Sequence, residues 1–121
     1  MSTTNQQLQA LEASIQFARQ KFKAEETDLA LQHIKEGLHL DQHNAQLLEI
    51  AANIYLRLNN NEKAVQCAKQ LITHHPGNPH GYSRHAQALL KQKCPSDAKQ
   101  IAIDGLKEVP KNQQLLALAS E

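Results

Sequence analysis

The sequence predicts an all-α chain built from stacked antiparallel helix pairs, and three observations carry that prediction. Strand signals are missing, since no Val/Ile/Thr-rich alternating run is bounded by Asn-Gly or Asp-Gly turns. Apolar residues recur instead at gaps of three and four, the spacing of one helix face. Four sets of residues also keep one common spacing of 34: Asn44, Asn78 and Asn112; Ala30, Ala64 and Ala98; Ala18, Ala52 and Ala86; Leu38, Ile72 and Leu106.

Each helix can be justified in turn. Leu8, Leu11, Ile15, Ala18 and Phe22 form the apolar face of a long first helix. A break at Glu25-Glu26-Thr27-Asp28 follows, with Thr27 expected to cap the second helix through its hydroxyl. Leu31, Ile34 and Leu38 carry that helix, and Leu47, Ile50, Ala51, Ile54 and Leu58 carry the third. Asn59-Asn60-Asn61 ends the third and supplies the next cap. Ala64, Val65, Ala68, Leu71 and Ile72 carry the fourth, which stops at His75-Pro76-Gly77-Asn78-Pro79 because proline cannot donate and restricts its predecessor. Tyr82, His85, Ala86, Leu89 and Leu90 mark the fifth. Pro95 opens the sixth, where its missing N–H costs nothing. Ile101, Ala102 and Leu106 carry the sixth helix to Val109-Pro110, and Leu115, Leu116, Leu118 and Ala119 mark a seventh that runs to Glu121.

Composition narrows the function. The chain has 121 residues, 40% hydrophobic and 21% charged, with a formal net charge of +1. Such a balance excludes a strongly basic nucleic-acid binder of the arm type. No apolar run reaches the roughly 20 residues a bilayer requires, so no membrane helix is expected. The polar opening, Met1-Ser2-Thr3-Thr4-Asn5-Gln6-Gln7, lacks the regions of a signal peptide. Two cysteines, Cys67 and Cys94, are too few for a disulfide scaffold and imply a reducing, cytoplasmic setting.

A 34-residue helix–turn–helix period resembles the tetratricopeptide repeat. The second unit has Leu48-x2-Ala51-Ala52-x2-Tyr55, then Ala64-x3-Ala68 and Pro76; the third has Tyr82-x2-His85-Ala86-x2-Leu89, then Ala98-x3-Ala102 and Pro110. The first departs from the pattern, with Ser14 where a large aromatic is usual and Gln42 in place of the closing proline. The resemblance implies a single domain over 1–121, a right-handed superhelix with units near 11–44, 45–78 and 79–112 and a partial capping helix over 113–121. Small residues such as Ala18, Ala30, Ala52 and Ala64 let paired helices approach. Larger ones such as Phe17, Ile34, Leu48 and Tyr55 are expected to fill the holes between units.

The resemblance further implies that the first helix of each pair lines a concave groove that takes a partner's peptide or helix. The register places Arg19, Phe22 and Lys23 there in the first unit, Asn53, Leu56 and Arg57 in the second, and Arg84, Leu90 and Lys91 in the third. Lys23, Arg57 and Lys91 form a ladder at the repeat spacing, beside an apolar stripe of Phe22, Leu56 and Leu90. Such a groove suits an acidic, partly apolar peptide. The same cations also sit in the last turn of each first helix, where positive charge complements the helix dipole. Gly81-Tyr82-Ser83-Arg84, followed by Ala86-x-Ala88-Leu89, resembles the third repeat of the carboxylate-clamp co-chaperones and gives Arg84 the role of a donor to a carboxylate. The other clamp positions hold Ile15, Arg19, Ile50 and His80, so the full clamp is not expected.

No metal site or cofactor is expected. Seven histidines follow no ligand spacing, and most read as solvated; His85 reads as a packed residue reaching a hydrogen-bond partner. Catalytic motifs are missing too, so the chain reads as a non-enzymatic adaptor or scaffold whose partner is a protein or peptide, with neither nucleic acid nor membrane. Two alternatives stay open. One is a regulatory or substrate-presenting domain of a larger enzyme, such as a glycosyl- or sulfotransferase. The other is a self-assembling unit that pairs as a homodimer through Leu115, Leu116 and Leu118.

Overall fold

The computed structural model describes residues 4–120. Met1, Ser2 and Thr3 of the polar opening, and Glu121 at the expected end of the last helix, lie outside the described residues. Seven helices follow one another: α1 Asn5–Lys23, α2 Thr27–Leu40, α3 Ala45–Arg57, α4 Asn61–His74, α5 Pro79–Lys91, α6 Pro95–Glu108 and α7 Gln113–Ser120. The described residues contain no strand.

Local chemistry explains where the helices start. Asn44, Asn78 and Asn112 each precede a first-of-pair helix and accept backbone N–H groups, from Leu47 at 3.0 Å, His80 at 2.9 Å and Leu115 at 3.0 Å. The 34-residue asparagine register is therefore a register of N-caps. Thr4 and Gln7 form a reciprocal capping box at the start of α1. Asn60 caps α4 through Lys63 N. Thr27 does not cap α2. It is the first helical residue, and Glu26 occupies the cap without a side-chain bond. The chain reverses one residue earlier than the Thr27 reading requires, because Glu25 adopts the left-handed conformation.

The ends of α1, α3 and α5 share one geometry. Glu25, Asn59 and Lys93 have φ of 62°, 59° and 62°. The following N–H groups, of Glu26, Asn60 and Cys94, each donate at 2.8 Å to the carbonyls of Lys21, Tyr55 and Leu89. This closes the helix with the six-to-one bond of a Schellman turn and satisfies carbonyls that would otherwise be bare.

Curvature follows from which helices touch. The first-of-pair helices α1, α3, α5 and α7 contact one another in order. The second-of-pair helices α2, α4 and α6 contact only first-of-pair helices. The array therefore closes on the side of α1, α3 and α5, its concave face, and opens between α2, α4 and α6 on the convex face. Alanines at 18, 30, 52, 64, 86, 98 and 102 are all buried and permit the close approach of paired helices.

The joints between units rest on paired large and small residues. A Cβ at Gly37 would lie 2.5 Å from Leu47 Cδ1, and one at Gly105 would lie 2.7 Å from Tyr82 Cγ and 2.9 Å from Leu115 Cδ1. At the middle joint the order reverses, and a Cβ at Gly81 would lie 2.9 Å from Leu71 Cβ. Leu47, Leu71 and Leu115 are fully buried.

Two expectations about packing are corrected here. Phe17 does not fill a hole between units: it is 46% exposed and tilted against the His33 ring at 5.3 Å, because nothing described stacks on that face of α1. Leu115 and Leu118 are not an open dimer surface. Leu115 is 0% exposed beneath Tyr82 and Ala102, and Leu118 packs against the same cluster, so α7 spends its apolar face covering α5 and α6. Leu116 alone of the three is exposed, at 39%.

Candidate functional site in the concave groove

Two cations of the ladder, Arg57 and Lys91, are engaged inside the molecule. Arg57 lies over the Phe22 ring at 4.2 Å, from the second unit back onto the first. Lys91 Nζ donates to the Leu56 carbonyl at 2.5 Å and to Asn59 Oδ1 at 3.2 Å, from the third unit back onto the second. Each cation thus tethers its unit to the preceding one. Phe22 and Leu56 hold equivalent positions, and in both cases the cation 35 residues later reaches that position. For Lys91 the acceptor is a carbonyl in the last turn of α3, where a positive charge also suits the helix dipole.

The apolar stripe is interrupted. Leu56 is 7% exposed and packs with Ala64 and Ala88, so it belongs to the core rather than to a docking surface. Sequence register places it beside Phe22 and Leu90, but the neighbouring helix α5 supplies Ala88, which closes over it. Phe22 is half-buried under Arg57, while Leu90 is 37% exposed. Arg19 and Lys23 are exposed, and Asn53 is half-buried.

A polar cluster forms where α3 and α5 face each other. Glu49 Oε1 lies 3.6 Å from His80 Nε2. Arg84, one turn further along α5, is half-buried, and its Nη1 reaches Gln87 Oε1 at 3.4 Å. Its Nε is buried with no partner among the described residues, as is His80 Nδ1. Burial pulls the Arg84 pKa down from its ordinary value and the Glu49 carboxylate pushes it back up. The guanidinium stays charged throughout the physiological range. A buried donor without an acceptor is costly unless something outside the chain completes it. Beneath Arg84, Ser83 is fully buried and its hydroxyl donates to the His80 carbonyl at 3.2 Å. The neighbouring turn is thereby fixed.

Glu49 and Gln87 join the groove residues that register singles out. The signal available was the pairing of an acidic residue at one unit with the arginine of the next, which only a three-dimensional arrangement makes specific.

The histidines are less solvated than their sequence suggests. His43 and His74 stack with centroids 3.6 Å apart, and His75 Nε2–H donates to the His43 carbonyl. His85 is buried as expected, but its Nδ1 finds no partner among the described residues. Desolvation lowers the His85 pKa, and the Lys69 charge lowers it further. No group of three or more His, Cys, Asp or Glu side chains is placed to hold a metal ion among the described residues. Cys67 and Cys94 are both free thiols. No helix among the described residues is long and apolar enough to cross a membrane.

No protein-family model matches the chain, and no curated protein matches it in sequence. Solved structures do match. The second tetratricopeptide domain of human RPAP3, in complex with the HSP70 peptide SGPTIEEVD, superposes with a TM-score of 0.83 at 22% identity over 94% of this chain and 95% of that one. The first such domain of Spaghetti (RPAP3), bound to the HSP90 peptide SRMEEVD, gives 0.81 at 21% identity over 93% and 90%. The N-terminal domain of stress-induced protein-1 from C. elegans gives 0.82 at 18% identity over 97% and 98%. The chain has the tetratricopeptide-repeat fold, an all-α superhelix of helix pairs.

Proposed function

We propose that this chain is a protein-interaction module without chemistry of its own, which takes an acidic peptide segment of a partner along α1, α3 and α5. The observation that carries the proposal is Arg84, a half-buried guanidinium on the groove side of α5 whose Nε has no partner among the described residues. A carboxylate would complete it with a charge-assisted bond. Arg19, Lys23 and Asn53 would supply further polar contacts, and Leu90 and the edge of Phe22 apolar ones. Arg57 and Lys91 act first as tethers between units.

The complexes of the RPAP3 domains with HSP70 and HSP90 peptides support an acidic segment as the ligand class. Ile15, Ile50 and His80 stand where the co-chaperone clamp would place its other polar groups, which favours a partner other than those chaperone tails. Two free cysteines support a reducing, cytoplasmic setting.

The test is capture of peptides from an acidic library by the wild-type chain and by Arg84→Glu. Captured peptides should bind the variant at least about tenfold more weakly, or about 1.4 kcal/mol. Equal binding by the variant would remove Arg84 from the site and end this reading.

A further inference from the structure

The convex face carries a second candidate site, independent of Arg84. Between the first and second units, α2 and α4 splay apart over α3 and leave a cavity of about 460 Å³. Leu31, Ile34 and Leu38 form one wall, Cys67 the other, and Ala51 and Tyr55 the floor. Burial pushes the Cys67 thiol up to about 11, so that wall is neutral and apolar. Two lysines stand at the opening. Lys35 lines it and is exposed, as is the His39 ring, and Lys63 Nζ sits 5.6 Å from the Tyr55 ring centroid. No carboxylate lines it among the described residues.

The repeat provides an internal reference for this cavity. Ala51 is equivalent to Phe17 and His85, both large. At the second seam His85 fills the floor, and the space is divided into recesses of about 530 and 280 Å³ that share Lys69, His85 and Leu89. Glu62 and Asp97 line those recesses, so their charge is mixed. The first seam is therefore a single cavity over a small floor residue, and Lys35 stands at it with no carboxylate in the described lining to offset its charge. A volume sufficient for one large apolar side chain coincides with lysines that complement carboxylates.

We propose that this seam is a docking site for a partner peptide that inserts one large apolar side chain between α2 and α4 and sets flanking carboxylates against Lys35 and Lys63. The site lies between α2 and α4, apart from Arg84 on α5.

The probe is an acetylated, C-amidated tetrapeptide Glu-Glu-Phe-Leu, with Lys-Lys-Phe-Leu as control. Amidation removes the terminal carboxylate, and shifts at Glu49 and Arg84 report any side-chain carboxylate that binds in the groove instead. Binding is followed by backbone amide shifts of the full chain at millimolar peptide. Saturable shifts are expected along Leu31–His39 and at Ala51, Tyr55 and Cys67, with the lysine control at least fivefold weaker. Ala51→Leu, which fills the floor, should abolish them while raising or preserving Tm. Lys35→Glu, an exposed change that leaves the core untouched, should weaken binding at least fivefold. Equal binding of both peptides, or shifts at Glu49 and Arg84 instead, would overturn the proposal. Tighter binding of sodium decanoate at the same amides would assign the seam to a lipid chain. Shifts that appear with protein concentration alone would assign it to a second copy. Either result also overturns the proposal.

Discussion

At the joint between the first and second units, Gly37 of α2 receives Leu47 of α3; between the second and third, Leu71 of α4 lies on Gly81 of α5. The same exchange runs through other parts of these joints. On the concave side Arg57 stacks on a ring at one, and Lys91 donates to a carbonyl at the other. On the convex side Ala51 floors one seam as a single cavity, and His85 lines both recesses of the equivalent seam. What the repeat conserves is summed volume and the position of a charge, rather than the residue that supplies either. A helix pair buries its face only by stacking, so each joint must fill its space, and several side-chain pairs can do so.

The largest effect should come from breaking the middle joint. Leu71→Ala removes a fully buried side chain and should cost about 3 kcal/mol in urea unfolding, within the range for such cavities. Gly81→Leu alone overlaps Leu71 Cβ and should cost about 2 kcal/mol by overpacking. The exchange Leu71→Gly with Gly81→Leu copies the sense of the first joint. It should recover more than half of the Gly81→Leu loss, despite a new helix-interior glycine worth about 1 kcal/mol. Strict additivity in that double-mutant cycle would show that the two positions do not share one space.

The second seam can be separated from the first by pH. His85 has its pKa lowered by burial, so the unfolded chain takes up that proton first as pH falls. Stability is therefore lost as pH drops through the ordinary histidine range toward the folded pKa, by at most about 1.4 kcal/mol per pH unit for one group. Unfolding of His85→Leu, measured from pH 7.5 to 5.5 (a window about the ordinary histidine pKa of roughly 6.5), should show a shallower fall than wild type. An identical slope would mean that His85 is equally accessible in both states.

The smallest effect tests the turns. Lys93 and Asn59 hold the same left-handed conformation at φ 62° and 59°. Asparagine tolerates that region better than lysine. Lys93→Gly should raise stability by about 0.5–1 kcal/mol, and Asn59→Gly by distinctly less, both read from Tm. Equal gains would show that the side chain plays no part in the conformation.

Much of the fold was legible because its signals are local. Helix-forming runs, apolar spacing and the breaks at Asn59-Asn60-Asn61 and His75-Pro76 each act within a few residues. The asparagines at 44, 78 and 112 cap the very helices they precede. Thr27 misled because its hydroxyl is a good cap in general, while the left-handed Glu25 starts α2 one residue sooner. The site was legible only as register. Arg84 is half-buried near Glu49, while the burial of Leu56 depends on Ala88, and the free face of Phe22 is lost to Arg57, each a residue about one repeat away.

By itself, then, the sequence determined the helices, their caps, the 34-residue period and the stacking that the period compels, since those follow from backbone hydrogen bonding and the spacing of apolar side chains. Tertiary structure alone decided which member of each large–small pair is glycine's partner, which ring or carbonyl Arg57 and Lys91 reach, and which seam forms a single cavity. Those outcomes depend on the distance between side chains from different units, and no spacing along one chain encodes a volume that two helices must fill together.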